Sequence, residues 1–387
     1  MEPQTVSNET TKTATWPQLF GTTSTGGIKT WQIFVVKQIG FSEVMIRTQH
    51  GKLDGKLTEQ IKMIKTGKNI GKSNETSPWE QACSEAASTF QEKLDKKYIT
   101  EIPNGKNESK AILPMLAHDF RKRSHDIEYP AWVQPKFNGV RCLAHKTSMT
   151  SIEFISRKGK SYNNVCQHLV SNLLQIMKTD EIFDGELYVH GWSFQKILKT
   201  TKKPRPWGNE LEYHVYDLAD DTDESFLVRY EKIGSWILKL PTNTKIKVVE
   251  TSSINSSDWV KTFHDRYVSE GYEGVIIRNG AGLYKFGHRS KDLQKYKEFI
   301  DAEFLITGFC DEPIMRDGNE YSAIVFTCVD KNGKEFNVRP KGTIADRVAW
   351  FAKGQEFCGK ELTVRYQSLS ESGTPIFPIG ICIRDYE

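Results

Sequence analysis

The chain has 387 residues, 38% of them hydrophobic and 26% charged, with a formal net charge of +4. That length suggests two or three domains of roughly 100–200 residues each, and the composition is that of an ordinary soluble globular protein. No apolar run approaches the ~20 residues needed to span a bilayer, and seven cysteines without a CxxC pair argue against a disulfide framework or a structural zinc site and for free thiols in a reducing compartment.

The N-terminus, Met1 to Pro17, is polar and rich in Thr and Ser. It has no apolar core, which excludes a secretory signal, and residues 1–27 read as a disordered tail. Residues 28–103 read as a small α+β module. Trp31, Ile33 and Val35 alternate as in a strand. Lys52 to Lys72 holds six Lys against Asp54 and Glu59, ending in the Gly-punctuated basic loop Thr66-Gly67-Lys68-Asn69-Ile70-Gly71-Lys72. Ser77-Pro78-Trp79-Glu80 has the pattern of a capping box with Pro at the first helical position. Ala82, Ala86, Phe90 and Leu94 then recur every four residues on one stripe. A basic loop entering a helix N-terminus suits phosphate, although the same features describe a plain αβ packing unit.

Pro103 to Lys110 is polar and reads as a linker. Residues 104–300 mix short strand-like runs with helical ones. From Ala131 to Ile300 there are 25 basic and 20 acidic side chains, and from Asp301 to the end 10 and 14. A basic middle is consistent with phosphate-backbone binding. Residues 301–387 are mostly short strands, among them Phe304-Leu305-Ile306, Ala323-Ile324-Val325-Phe326 and Leu362 to Tyr366. Asp330-Lys331-Asn332-Gly333 forms a hairpin turn. This pattern predicts a small β-barrel of the OB-fold kind.

Four segments carry candidate chemistry. Lys136-Phe137-Asn138-Gly139-Val140-Arg141 follows a strand-like run, and its Gly permits close backbone approach to a ligand. A neutral, positioned Lys is a covalent nucleophile; an Asn-Gly hairpin turn with surface charges fits the same residues. Ile182-Phe183-Asp184-Gly185-Glu186-Leu187-Tyr188 reads as an apolar run, a DG turn and a Glu aimed into a cleft, suited to a ribose hydroxyl or a divalent metal. Glu273-Gly274-Val275-Ile276-Ile277-Arg278 places a carboxylate at the mouth of a buried strand. Leu293-Gln294-Lys295-Tyr296-Lys297 puts two Lys on one strand face, where they can stabilise charge on a phosphate.

The order and spacing of these segments, with Ser156-Arg157 and Tyr213-His214-Val215-Tyr216-Asp217 between them, resemble the covalent nucleotidyltransferases. Within these they resemble the ATP-dependent DNA ligases, from about Pro114 to the C-terminus. Tyr284 to Ser290, Asp301-Ala302-Glu303-Phe304 and the closing Phe377 to Asp385 fit that likeness. The run Gly67 to Ala82 looks like the N-terminal module of ligases from large double-stranded DNA viruses, the African swine fever virus type. Two positions depart from the family: Asn138 stands where many relatives have Asp, and Arg384-Asp385-Tyr386 lacks the usual final Lys.

The resemblance implies an α+β multidomain protein: an N-terminal DNA-binding module, a nucleotidyltransferase (adenylation) domain and a C-terminal OB-fold barrel. It implies that Lys136 attacks the α-phosphate of ATP and carries AMP. Gln134 and Tyr216 would contact adenine, Arg141 and Arg157 the nucleotide and then the nick phosphate, and Lys295 and Lys297 the α-phosphate. Glu186 would bind ribose or metal, Glu273 the Mg²⁺ (or Mn²⁺), and Arg384 would orient pyrophosphate. Lys68, Asn69, Lys72 and Arg157 would bind DNA. The expected partner is nicked duplex DNA and no membrane, for a monomer in DNA repair, recombination or replication. Its place would be intracellular, in the cytoplasm or at a site of viral DNA replication. An RNA ligase or a capping-type nucleotidyltransferase shares the Lys chemistry, and a non-catalytic nick-binding clamp is the reading from another class.

Overall fold

The computed structural model describes residues 2–23, 26–103, 112–220, 222–316 and 319–384. Among them no helix is long and apolar enough to cross a membrane. Strands β1 (Gln4–Ser7), β2 (Thr11–Thr15), β3 (Leu19–Thr22), β4 (Ile28–Gln38), β5 (Val44–Lys52) and β6 (Leu57–Ile64) share one sheet, ordered β1-β2-β4-β5-β6 with β3 also on β4. The disordered tail expected over 1–27 is therefore corrected: β1, β2 and β3 belong to the sheet. Thr-rich stretches suit a pleated surface, and three inward residues, Ala14, Trp16 and Leu19, are enough to anchor this one beside Trp31, Ile33 and Val35. Their spacing is too sparse to read as a periodic strand.

Helix α1 (Pro78–Asp95) begins at Ser77 with the capping box that the spacing predicts. Its Ala82, Ala86 and Phe90 are buried in the same core, with Leu94 packed at the edge. All but the first residue of the predicted linker, Pro103 to Lys110, lies outside the described residues.

The central region runs β7 (Leu116–Asp119), α2 (Phe120–Arg123), β8 (Ala131–Lys136), β9 (Val140–Ser148), β10 (Ser151–Ser156), α3 (Gln167–Ile176), β11 (Ile182–Tyr188) and α4 (Phe194–Lys202). It continues through β12 (Glu212–Leu218), α5 (Phe226–Ile237), β13 (Ile246–Val248), β14 (Ser252–Ile254), α6 (Asp258–Ser269), β15 (Gly274–Asn279) and β16 (Arg289–Tyr296). The strands form two five-stranded sheets, β14-β8-β15-β16-β7 and β10-β9-β11-β12-β13. Leu169 and Leu173 of α3 and Ile233 and Ile237 of α5 bury against the second sheet. Val260 and Tyr267 of α6 bury against the first.

Two turn readings change. Lys136 ends β8 in one sheet and Val140 opens β9 in the other. The Asn-Gly segment is thus a crossing between sheets, not a hairpin. Asp184 and Gly185 lie inside β11, not in a DG turn. Gly185 is required for close approach: a Cβ there would stand 2.6 Å from the His214 carbonyl and 2.7 Å from the Tyr213 ring.

Finally, β17 (Ile300–Arg316), β18 (Asn319–Val329), β19 (Glu335–Pro340), β20 (Glu361–Tyr366) and β21 (Ile379–Arg384) close into a barrel, ordered β17-β18-β19-β21-β20, with α7 (Ile344–Ala352) between β19 and β20. The predicted hairpin turn joins β18 to β19: Asp330 N–H donates to Lys334 O at 2.9 Å, and Gly333 takes φ +76°.

Candidate active site

The gap between the two central sheets is a cavity of about 620 Å³. Lys136 stands at its floor because β8 ends there and the chain must cross to β9. The crossing is tight. A Cβ on Gly139 would lie 2.6 Å from the Leu187 carbonyl and 2.7 Å from Glu186 Cγ. Phe137 anchors the other side of the crossing, its ring 5.0 Å from Tyr188 and 5.3 Å from Tyr272, edge-on to both. Backbone pairing brings Glu273 to Lys136: Glu273 N–H donates to Lys136 O at 2.8 Å.

Three charged side chains then converge. Lys136 Nζ donates to Glu273 Oε2. Lys297 Nζ donates to Glu273 Oε1 at 2.7 Å and to Gln367 Oε1 at 2.5 Å. Burial alone would raise Glu273, but Lys136 and Lys297 outweigh it and hold its carboxyl below its usual value. Lys295 lies in the same wall. Burial, and then repulsion from Lys136 and Lys297, push its ammonium below its usual value. Glu186 lines the same cavity, and burial pushes its carboxyl up to about 7 despite the pull of Lys136 and Arg141. That is the signature of a buried carboxylate short of positive charge, and a divalent cation beside it would supply the charge. Glu186 and Glu273 therefore fit a metal chemically, although no group of three or more His, Cys, Asp or Glu is arranged to hold one among the described residues.

Gln134 and Tyr216 face the same space. Tyr216 donates to Gly185 O at 3.3 Å and lies under two guanidinium groups, Arg141 at 5.7 Å and Arg278 at 5.6 Å. Arg141 grips the fully buried Asp184 through two bonds, of 2.9 and 2.5 Å, and Tyr284 donates to the same carboxylate at 2.7 Å. Much of the Arg141 fork is thus committed to the protein. Arg157 lines the mouth, exposed.

The other predicted residues are elsewhere. Arg384 sits on the barrel wall, donating to Glu303 at 2.9 Å, and does not line the cavity. Lys68 pairs with Glu85 at 3.4 Å, and Asn69 takes φ +57° and donates to Asn74 O at 3.3 Å. Lys72 N–H donates to Asn69 O at 2.9 Å. These three are exposed and lie on the N-terminal module. The α1 N-terminus is not an open phosphate site, because Glu80 supplies a carboxylate there and donors are taken by the capping box.

Sequence reasoning missed several residues that share the cavity. Arg278, at the end of the Glu273 to Arg278 segment, is one of them. Lys158 and Lys160 follow Arg157 in a turn built on Gly159 at φ +91°. Gln367 and Phe377 reach in from the barrel with no sequence signal at all. Phe194 and Leu198 come from α4. That helix lies within a run, Val189 to Asn209, with no acidic residue and with Lys196, Lys199, Lys202, Lys203 and Arg205. An unbroken charge sign over one helix and its exit was a usable signal.

A family model described as ATP dependent DNA ligase domain matches residues 114–297. The DNA ligase of African swine fever virus is 31% identical over 341 residues, covering 83% of this chain and 79% of the relative. The DNA ligase of Enterobacteria phage T4 is 22% identical over 244 residues, half of each chain. Among solved structures, "Pmar-Lig_Pre." aligns with a TM-score of 0.61 at 20% identity, over 80% of this chain and 72% of that one. A structure of the Lig E DNA ligases aligns with a TM-score of 0.56 at 18% identity, over 70% of this chain and 99% of that one.

Proposed function

The chain belongs to the family of ATP-dependent DNA ligases, and on that premise we propose that Lys136 is its nucleophile and that the cavity around it holds ATP. The observation that carries the reading is Lys136 Nζ set against one oxygen of Glu273, with Lys297 on the other oxygen and Lys295 in the cavity wall. A bond forms between Nζ and the α-phosphorus, the bond to pyrophosphate breaks, and Lys136 carries AMP. The AMP then moves to the 5′-phosphate of a nick, and the 3′-hydroxyl displaces it to seal the strand.

Elementary electrostatics supports the roles. An ammonium must lose its proton before it attacks, at a cost of about 4–5 kcal/mol near pH 7. Glu273, in contact with Nζ, aims the nitrogen. Lys295 and Lys297 then face the charge that develops on the transferring phosphate. Glu186 and Glu273 would hold Mg²⁺ (or Mn²⁺), whose charge would offset that of the triphosphate and the nick. Gln134 and Tyr216 take the base, and Arg141 and Arg157 the phosphates. The barrel is read as an OB-fold that covers the site through Gln367 and Phe377. Arg384 would reach pyrophosphate only if the barrel turned its β21 face inward. The N-terminal module, through Lys68, Asn69 and Lys72, grips the duplex. The protein works as a monomer on nicked DNA inside the cell, in the cytoplasm or where viral DNA is replicated.

The test is covalent labelling with α-labelled ATP and, separately, GTP. Label from ATP that disappears in Lys136→Ala, together with loss of nick sealing by at least ~10³-fold, is the expected result. Label from GTP alone, or unchanged sealing by Lys136→Ala, would overturn it.

A further inference from the structure

We propose that Arg278 is a positioning residue that makes this site select adenine over guanine, by fixing which end of the Gln134 amide faces the base. The inference rests on the reading of Gln134 as the base contact. Gln134 is 1% exposed and lines the cavity, so its amide has few ways to be satisfied.

Its two ends are chemically distinguished. Arg278 Nε donates to one end at 2.8 Å. A guanidinium has donors and no acceptor, so the amide atom facing it must be the oxygen. The other end donates to Thr251 Oγ1 at 2.9 Å and to the Tyr216 carbonyl at 3.4 Å. A carbonyl only accepts, so that atom must be the NH₂ group. The Thr251 hydroxyl gives its own proton to Val249 O at 3.2 Å, which leaves it an acceptor toward Gln134. Both N–H bonds of Gln134 are thus committed, and what remains for a ligand is the second lone pair of Oε1.

One acceptor matches one base. Adenine offers its N6 amino group as a donor, whereas guanine carries the O6 acceptor at the same ring position. An oxygen facing an oxygen leaves both unpaired in a buried place. A free amide would rotate by half a turn and suit either base, so selectivity depends on what prevents the rotation.

Arg278 is itself held. Its Nη1 donates to Asp217 Oδ2 at 2.6 Å. Asp217 also accepts from Arg229 Nε at 2.8 Å and from the Leu218 N–H at 2.9 Å. Asp217, Arg229 and Arg278 are 0%, 1% and 3% exposed, respectively. A buried, hydrogen-bonded network of this kind favours one arrangement. It ties strands β8, β12 and β15 and helix α5 to a single amide orientation in the cavity.

The experiment measures lysyl-nucleotide formation by the full chain with ATP and with GTP, as kcat and KM. In Arg278→Met the preference for ATP should fall at least ~10-fold, mainly through KM, since a misplaced polar group at a base edge costs that much discrimination. Adding Gln134→Glu to Arg278→Met should restore the preference, because a carboxylate has no donor end to present. Thr251→Val leaves the buried ion network intact and frees the NH₂ end. It should shift the preference in the same direction by a smaller factor, and it decides the matter if Arg278→Met fails to fold by thermal melting. A purely structural role predicts equal losses with both nucleotides and no rescue; an ATP preference within twofold of the parent in the folded variants overturns the proposal. Absence of any covalent label in the parent protein would instead defeat the ligase reading of Lys136.

Discussion

At Glu186 burial and chemistry pull in opposite directions. The carboxyl titrates near 7 in the folded protein against an ordinary value of 4.5. Below pH 4.5 folded and unfolded chains bind this proton alike. Between 4.5 and 7 the folded state holds a proton that the unfolded state has given up, so stability falls as pH rises through that window and stays reduced above it. The penalty is on the order of 3–4 kcal/mol. Glu273 has the opposite sign: its lowered pKa gives stability that is present above about 4.5 and is lost as pH falls further. Melting temperatures in the presence of a chelator should therefore show Glu186→Gln level with the parent at pH 4.5 and more stable by pH 8. Added Mg²⁺ should stabilise the parent more than the variant. A difference that stays constant from pH 4.5 to 8 would remove Glu186 as the cause. Gly139 makes a second residue-scale case. Alanine there drives a Cβ into the Leu187 carbonyl and the Glu186 side chain, neither of which is a loose end. Gly139→Ala should displace Lys136 and lower the rate of self-adenylation by at least ~10-fold, since misplacement by about 1 Å costs that much or more. Covalent labelling measures it directly.

The elements that sequence pattern reveals are those whose own residues carry the signal. Helix α1 announces its start by Ser77 and Glu80 and its buried face by Ala82, Ala86 and Phe90, and Glu273 sits at the head of its strand as its motif suggests. Strand β2 gives no such notice, because Ala14 is buried among threonines that are only partly covered. The crossing at Phe137 to Gly139 looks like a hairpin turn because local chemistry does not say which sheet the next strand joins. The partners of Gln134 are illegible for the same reason: Arg278 lies 144 positions away. Helix α4 shows what pattern can still yield. Its Lys199 and Lys202 are exposed, and its Phe194 and Leu198 line the cavity. A duplex seated with its nick at Lys136 would run its backbone over this face. Lys199→Glu with Lys202→Glu should weaken nick binding and flatten the plot of log affinity against log salt by about one unit per lost phosphate contact. Lysyl-AMP formation should not change. An unaltered salt slope would detach α4 from the DNA track.

At the scale of the whole molecule, the central region and the barrel meet at one cavity while the N-terminal module packs outside it, and the junctions differ in kind. The barrel reaches the central region directly: Gln367 accepts from Lys297, and Glu371 accepts from Ser193 at the head of α4, each at 2.5 Å. The N-terminal module has a core of its own around Trp16, Trp31 and Phe90. It touches the central region through polar contacts such as Lys97 with Glu153 at 3.9 Å and Glu92 with Lys158 at 3.7 Å. Exposed pairs like these are worth roughly 0–1 kcal/mol each and weaken further with salt. Removing the module should therefore leave the cavity and its charges standing. Lys158 ties the two together, since it lines the cavity and also pairs with Glu92 of α1. A chain without residues 1–103 should form lysyl-AMP within about threefold of the parent rate, because the lost pairs are weak. If Lys68 and Lys72 contact phosphate as proposed, it should bind a nicked duplex at least ~10-fold more weakly at physiological salt, with a shallower salt dependence. Filter binding across a salt series separates the two possibilities. Equal affinity at every salt concentration would mean that the module takes no part in gripping DNA, and loss of lysyl-AMP would mean that its contact through α1 is needed to hold the Arg157 to Lys160 turn over the cavity.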